Sequence, residues 1–496
     1  MKKAEKYSLF ICLLLSASAL AAACASETET PPAPESSSVP VTESYNAETE
    51  EHGDASGVLG ERLEVPDNLP ETDCGGEIFR VFNWSDECVS FFAPGEENGD
   101  VINDSSYRRQ VEIEERFNCK LEAVCSGAAN SVEHTAAARK LVMGGDDSYQ
   151  LYQLHSMQGP NLSMEHMLVN LYDVPHLDFS KPWWPRFVVD ELTLFNQMYV
   201  FANPITHNII SGSCVYFFNR DLINTFDLED PYTIVREGKW TLDKLGEMVK
   251  GCYLDLNGDG KTDAADRFGH TTFPYEGTYG MVSAAVPMLE KTKDSLVITA
   301  NNERMTTYIE KAVAFFHSPD VTVLEQSEYR SLFIDGRSVF TFGGISDTAG
   351  SYRDTGLNFG VIPMPKYDEA QENYITMAGR DLYGIPATVQ NLDFAGLILE
   401  ALSAEGYKQV LPSYYENALK GKFLRDEAYY EEAYQAMDTI EQSLTLTFSY
   451  MYQTGFTDAV SDLNKKGSTD FASMYAKDIK KNQKRVDEIL AFFGNP

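Results

Sequence analysis

The spacing that points most directly to chemistry runs from Asp255 to Asp266, in DLNGDGKTDAAD. Side-chain oxygens fall at positions 1, 3, 5, 9 and 12 of a twelve-residue loop, with glycine at position 6. This is calcium-loop spacing: hard Ca²⁺ takes about six to eight oxygens, and the sixth residue must turn sharply. Lys261 fits position 7, which offers its main-chain carbonyl. Asp266 stands where an EF-hand carries the longer Glu. We therefore expect a structural Ca²⁺ held by Asp255, Asn257, Asp259, Lys261, Asp263 and Asp266. The bland reading is an Asp/Asn/Gly-rich surface turn. Other reactive spacings are missing: the chain has no G-x-S-x-G elbow, no H-E-x-x-H and no Walker loop.

Such residues need elements to hold them, and the body reads as alternating strands and helices. EIFRVFNW (77–84) is strand-like, and NDSSYRRQVEIEERFN (103–118) is helical, with Asn103 or Asp104 as the expected cap. CKLEAV is a second strand, SVEHTAAARKLVM a helix stopping at Gly144-Gly145, and YQLYQLH (149–155) a third strand. That order implies a parallel sheet with crossover helices. SCVYFFNRDL, SVFTFGG, NFGVIPMP and LYGIPA supply further strands, and helices are expected over 241–252, 303–317, 392–405 and 427–442. The expected fold class is α/β, with two lobes facing a cleft. Ligand groups in such sheets sit on loops after strands. Trp84, Ser85 and Asp86 follow the first strand, and His155, Met157 and Gln158 the third.

The start of the chain speaks to the compartment. Lys2, Lys3 and Lys6 precede a run of apolar and small residues ending in Leu20-Ala21-Ala22-Ala23-Cys24. This is a secretory leader (1–23) with a lipobox-like end, so we expect lipidation at Cys24 and a location on the outer face of the cell membrane. Losing three Lys and one Glu with the leader takes the net charge from −35 to −37. Residues 25–60 hold eight acids and no Lys or Arg. Ser, Thr, Pro and Glu dominate there, so 24–73 reads as a lipid-anchored, disordered acidic tether. The acidic balance repels a polyanion and argues against a nucleic-acid partner. Six cysteines follow Cys24, no disulfide framework for a chain of 496 residues, and none forms C-x-x-C. Zinc has no sequence support.

The order of several segments resembles a known family. YRRQVEIEERFNCKLE, LYDVPHLDFSKPWWP, VYFFNRDLI and GKWTLDKLGEMVKG are followed by DLNGDGKTDAADRFG, SVFTFGG, NFGVIPMPKYDEAQENY and SYYENALKGKFLRDEAYYEEA. Together, over about residues 77–460, they resemble the maltose-binding-protein-like family 1 of extracellular solute-binding lipoproteins of ABC importers. The resemblance implies a type II periplasmic-binding-protein-like fold, two lobes joined by crossing hinge strands. It places lobe one at 74–213 plus 383–425 and lobe two at 214–382 plus 426–496. The implied function is capture of a carbohydrate, an oligosaccharide, for delivery to ABC permease subunits, by a monomer that is not an enzyme.

Sugars are met by flat aromatic faces, with carboxylates, amides and Arg for their hydroxyls. Trp84, Asp86, His155 and Gln158 are the first lobe's candidates. By resemblance, FPYEGTYG offers Tyr275 and Tyr279, FGGISD puts Ser346 where the family usually carries Trp, and MAGRDLYG offers Arg380 and Asp381 near the crossing strands. Trp183, Trp184 and Trp240 read as packing residues, with Thr241 as a helix cap. Two rival readings are a same-fold receptor for peptide or another polar solute, and a lipid-anchored glycan hydrolase with paired carboxylates.

Overall fold

The computed structural model describes residues 62–379, 381–415, 419 and 429–494, without the side chains of 86–88 and 326–327. Cys24 and Arg380 therefore lie outside the described residues, as does the side chain of Asp86.

The strands are β1 (Glu77–Asn83), β2 (Cys119–Cys125), β3 (Leu151–His155), β4 (Cys214–Asn219), β5 (Phe268–Thr272), β6 (Leu289–Lys291) and β7 (Leu296–Ile298), then β8 (Val321–Val323), β9 (Ser338–Gly344), β10 (Phe359–Pro363), β11 (Thr376–Met377), β12 (Asp381–Gly384) and β13 (Leu444–Thr445). One sheet has the order β12-β3-β1-β2 and a second the order β10-β4-β9-β5-β8. β1 runs parallel to β2 and β3, and β12 antiparallel to β3. In the second sheet β5 is parallel to β8 and β9, whereas β4 is antiparallel to β9 and β10. The chain thus lays down most of the first sheet, builds the second, and returns to complete the first with β12.

Local chemistry explains the elements. Phe79 and Val81 of β1 point into the core, where Phe79 packs against Phe92 and Phe394. The helix Val101–Phe117 is capped by Asp100, whose carboxylate accepts from the amides of Ile102 and Asn103. The sequence expectation placed this cap at Asn103 or Asp104. It lies earlier because only Asp100 leaves its own backbone extended while reaching the free amides of the first turn. Thr241 caps the helix Leu242–Val249 as expected, accepting from the Lys244 amide at 3.1 Å. The sequence reading missed β5, which sits between β9 and β8. Its His270, Thr271 and Thr272 are fully buried polar residues, so no hydrophobic pattern marks it.

Three tryptophans are wholly inside: Trp183, Trp184 and Trp240. Residues 62–73, which composition assigned to the end of the tether, lie against the body. Val65 and Leu69 pack on the core, and Asp67 pairs with Arg116 at 2.5 Å. Among the described residues no helix is long and apolar enough to cross a membrane.

Candidate functional site

Parallel β1, β2 and β3 release their following loops at one edge of the first sheet, and antiparallel β12 begins at that same edge. This brings three candidates together. Asp381 stands opposite His155 in the β12–β3 register. The Trp84 indole meets the His155 ring edge to face, with centroids 6.0 Å apart. The Trp84 amide donates to Gln153 Oε1 at 3.1 Å, and Gln153 Nε2 donates to Asp381 Oδ2 at 3.1 Å. His155 Nδ1 accepts from the Met157 amide at 3.2 Å, so a neutral ring carries its proton on Nε2. Gln158 follows, its amide bonded to the His155 carbonyl at 3.0 Å. Its side-chain Oε1 is buried without a partner among the described residues.

The second sheet repeats the logic. Parallel β5 and β9 release their loops at a common edge, carrying Tyr275 after β5 and Ser346 after β9. Tyr275 is 46% exposed, whereas Tyr279 is 4% exposed, its face stacked on Phe342 at 5.5 Å and 8°. Tyr279 therefore lines the wall from within, and Tyr275 is the accessible ring. Lys465 Nζ lies 5.0 Å from the Tyr275 centroid. Ser346 is exposed on the turn Ile345–Thr348, which Asp347 closes by accepting the Gly344 amide at 3.1 Å.

Two segments that sequence reasoning passed over join these edges. The stretch 208–213 reaches both: Asn208 Nδ2 donates to Asp381 Oδ2 at 2.6 Å, and the Ser213 carbonyl accepts the Ile345 amide at 3.1 Å. The Gly379 amide adds a bond to the Ile209 carbonyl at 3.1 Å. The second segment is Phe448–Met451 and the turn after it. The Tyr450 hydroxyl stands 3.5 Å from that of Tyr279, while Gln453 Nε2 donates to the Met157 carbonyl at 2.6 Å. FSYMYQTGF carried an aromatic signal for this segment, but only the fold brings it to the first sheet's edge. Buried Arg109 steadies the crossing, donating to the carbonyls of Ile205 and, at 2.7 Å, Phe92. Desolvation pulls its guanidinium down to about 10.

The described candidates thus form two sets on two sheet edges, linked by hydrogen-bonded crossings. Polar side chains and half-exposed rings dominate, and their carboxylate and amides are already engaged with one another. The arrangement can receive hydroxyls and ring faces.

The 255–266 loop lies apart, between the helix Leu242–Val249 and β5. Gly258 and Gly260 take φ of 72° and 71°, where glycine is favoured. Asp255 accepts the amides of Gly258 at 2.6 Å and Gly260 at 2.9 Å; Asn257 accepts that of Asp259 at 2.9 Å. Asp266 is fully buried and accepts from the Asp263 amide at 3.2 Å and the Tyr253 hydroxyl at 3.0 Å. The oxygen-rich donor set and the turned glycines fit a hard cation. The carboxylates face main-chain amides, and no cluster of three or more His, Cys, Asp or Glu poised around one point occurs among the described residues.

No family model matches the chain, and no curated protein matches it. Solved structures do. The maltose/maltodextrin-binding domain MalE from Bdellovibrio bacteriovorus, bound to maltotriose, superposes with a TM-score of 0.51 at 13% identity, over 84% of this chain and 98% of that one. The ABC substrate-binding protein Lmo0181 from Listeria monocytogenes, in complex with cycloalternan, gives 0.53 at 12% identity, over 84% and 100%. The order of the sheets, the return of β12 and these superpositions together give the chain the two-lobed type II fold of the maltose-binding-protein-like solute-binding proteins.

Proposed function

We propose that this protein is an extracellular solute-binding receptor that captures an oligosaccharide and delivers it to an ABC importer. The observation that carries the reading is the pairing of two ring-and-polar sets, Trp84, His155 and Asp381 on one sheet edge and Tyr275 and Ser346 on the other, across hydrogen-bonded crossings. Both structures of this fold described above hold an oligosaccharide. A ligand drives closure only through greater affinity for the closed form, so it must touch both edges. Trp84 and Tyr275 offer stacking faces for sugar C–H surfaces; Asp381, Gln158 and Ser346 meet hydroxyls. Ser346 in place of an aromatic residue removes one platform, which favours a glycan other than maltose.

The proposal extends to a lipid anchor at Cys24 and to one Ca²⁺ in the 255–266 loop, held by Asp255, Asn257, Asp259, Asp263 and Asp266 with the Lys261 carbonyl. A cation there would tie β5 to the preceding helix and leave the sugar site alone.

Thermal melting against a glycan library tests the receptor reading, since a ligand of the folded state raises the melting temperature. A shift with an oligosaccharide recovered uncleaved supports it. Shifts with peptides alone would move the assignment to the peptide receptor, and cleavage products would establish the hydrolase.

A further inference from the structure

The charge of this protein is strongly segregated. Residues 465–485 hold seven of its 40 Lys and Arg but only two of its 75 acids, in a chain of net charge −35. Most of these bases belong to the helix Phe471–Gly494. Its buried side is set by Phe471, Asn482, Val486, Ile489 and Phe493, which recur at helical spacing. Lys477, Lys480, Lys481 and Lys484 fall on the opposite side, at i, i+3, i+4 and i+7, and all four are exposed. Lys484 pairs with Glu488 at 3.4 Å. Lys477, Lys480 and Lys481 have no carboxylate within ion-pair distance among the described residues. Structural duty falls on the other side of the helix, where Gln197 Nε2 donates to the Phe493 carbonyl at 2.7 Å and Arg485 to Asn161 at 2.7 Å.

We propose that this lysine stripe is a membrane-docking surface for anionic phospholipid headgroups. The four stripe positions carry ammonium groups alone, whereas Asp478 is half-buried beside them and Asp487 and Glu488 follow at the stripe's C-terminal end. Three unpaired ammonium groups and the Glu488-paired Lys484 line up along two turns as a cationic strip, whose attraction to an anionic leaflet acts within a Debye length. The net negative charge elsewhere is screened beyond that range, so the strip dictates which face approaches the bilayer. In the cell this adds to the membrane attachment proposed at Cys24, whose tethering would raise the local concentration of headgroups. The surface itself does not depend on the anchor.

The Cys24→Ala chain released by cells separates the two ideas, because it has no lipid. It is mixed with phosphatidylcholine vesicles with or without phosphatidylglycerol and sedimented, alongside a second version carrying K477Q, K480Q, K481Q and K484Q. Retention on the phosphatidylglycerol vesicles alone is expected, lost at high salt and weakened about tenfold or more by the four substitutions. Circular dichroism melts of both versions guard against misfolding. Equal retention of the two versions, retention on phosphatidylcholine alone, or no retention on phosphatidylglycerol at low salt would overturn the proposal. Binding to soluble polyphosphate without binding to the anionic vesicles would overturn it too.

Discussion

The Asn208 amide donates to the Asp381 carboxylate at 2.6 Å, tying the stretch that leaves for the second sheet to the strand that returns from it. Gln153 holds the same carboxylate oxygen at 3.1 Å. One acid thus fixes both a strand edge and a crossing. Asn208→Ala should destabilise the fold by about 1–3 kcal/mol, because a half-buried carboxylate loses a charge-assisted partner. Asn208→Asp should cost more at neutral pH, where two carboxylates would face each other. That excess should shrink at acidic pH, because facing carboxylates raise each other's proton affinity until one is neutralised. Thermal melts at both pH values check the difference.

Trp84 makes the second prediction. Its ring is half-buried and leans on His155, so removing it takes away solute contact more than core packing. Trp84→Ala should weaken solute binding on the order of 1–3 kcal/mol, with a small change in melting temperature. Calorimetric titration with the glycan found by melting reads the first quantity. A large fall in melting temperature with unchanged affinity would assign Trp84 to the core.

Glu400 gives a pH dependence. It is buried and accepts the indole N–H groups of Trp183 and Trp184, each at 2.8 Å. Desolvation outweighs those two bonds and pushes the carboxyl up to about 7. The folded state thus binds this proton more tightly than the unfolded state does. The stability Glu400 contributes is complete below the ordinary carboxylate range, near 4.5, and is lost as pH rises towards 7. The loss amounts to up to about 3 kcal/mol. Glu400→Gln should flatten this slope in denaturant titrations between about pH 5 and 7. It should also lower stability at acidic pH, since an amide N–H₂ would face one indole donor.

The calcium proposal predicts that EDTA lowers the melting temperature, because a ligand of the folded state stabilises by mass action. Asp259→Ala should abolish that sensitivity, and re-added Ca²⁺ should restore the wild type alone. An EDTA-insensitive wild type would return the loop to an ordinary surface turn.

For the anchor, Cys24→Ala should move the protein from the membrane fraction to the medium. Retention of the variant on membranes washed at high salt, without a lipid on the wild type by mass spectrometry, would refute lipidation.

Much of the fold was legible because periodicity reports burial. β1, β9 and β10 and the helices Glu303–Phe316 and Leu392–Glu405 coincide with their apolar patterns. β5 was hidden because its side chains are polar and buried, and the partner of one of them lies far off in sequence: the Thr271 hydroxyl donates to the Tyr329 carbonyl at 3.3 Å. The sites divide in the same way. Residues after strands could be named, since a strand's end fixes where the next loop emerges. The spacing proposed to hold calcium and the leader-like run before Cys24 are equally local patterns, set by neighbours in the chain. Tyr275 and Tyr279 looked alike in sequence, four residues apart. Only the arrival of Phe342 from another strand covers one ring and leaves the other open. Asn208, Tyr450 and Gln453 join the site through contacts across long sequence separations, and no local pattern encodes such a meeting.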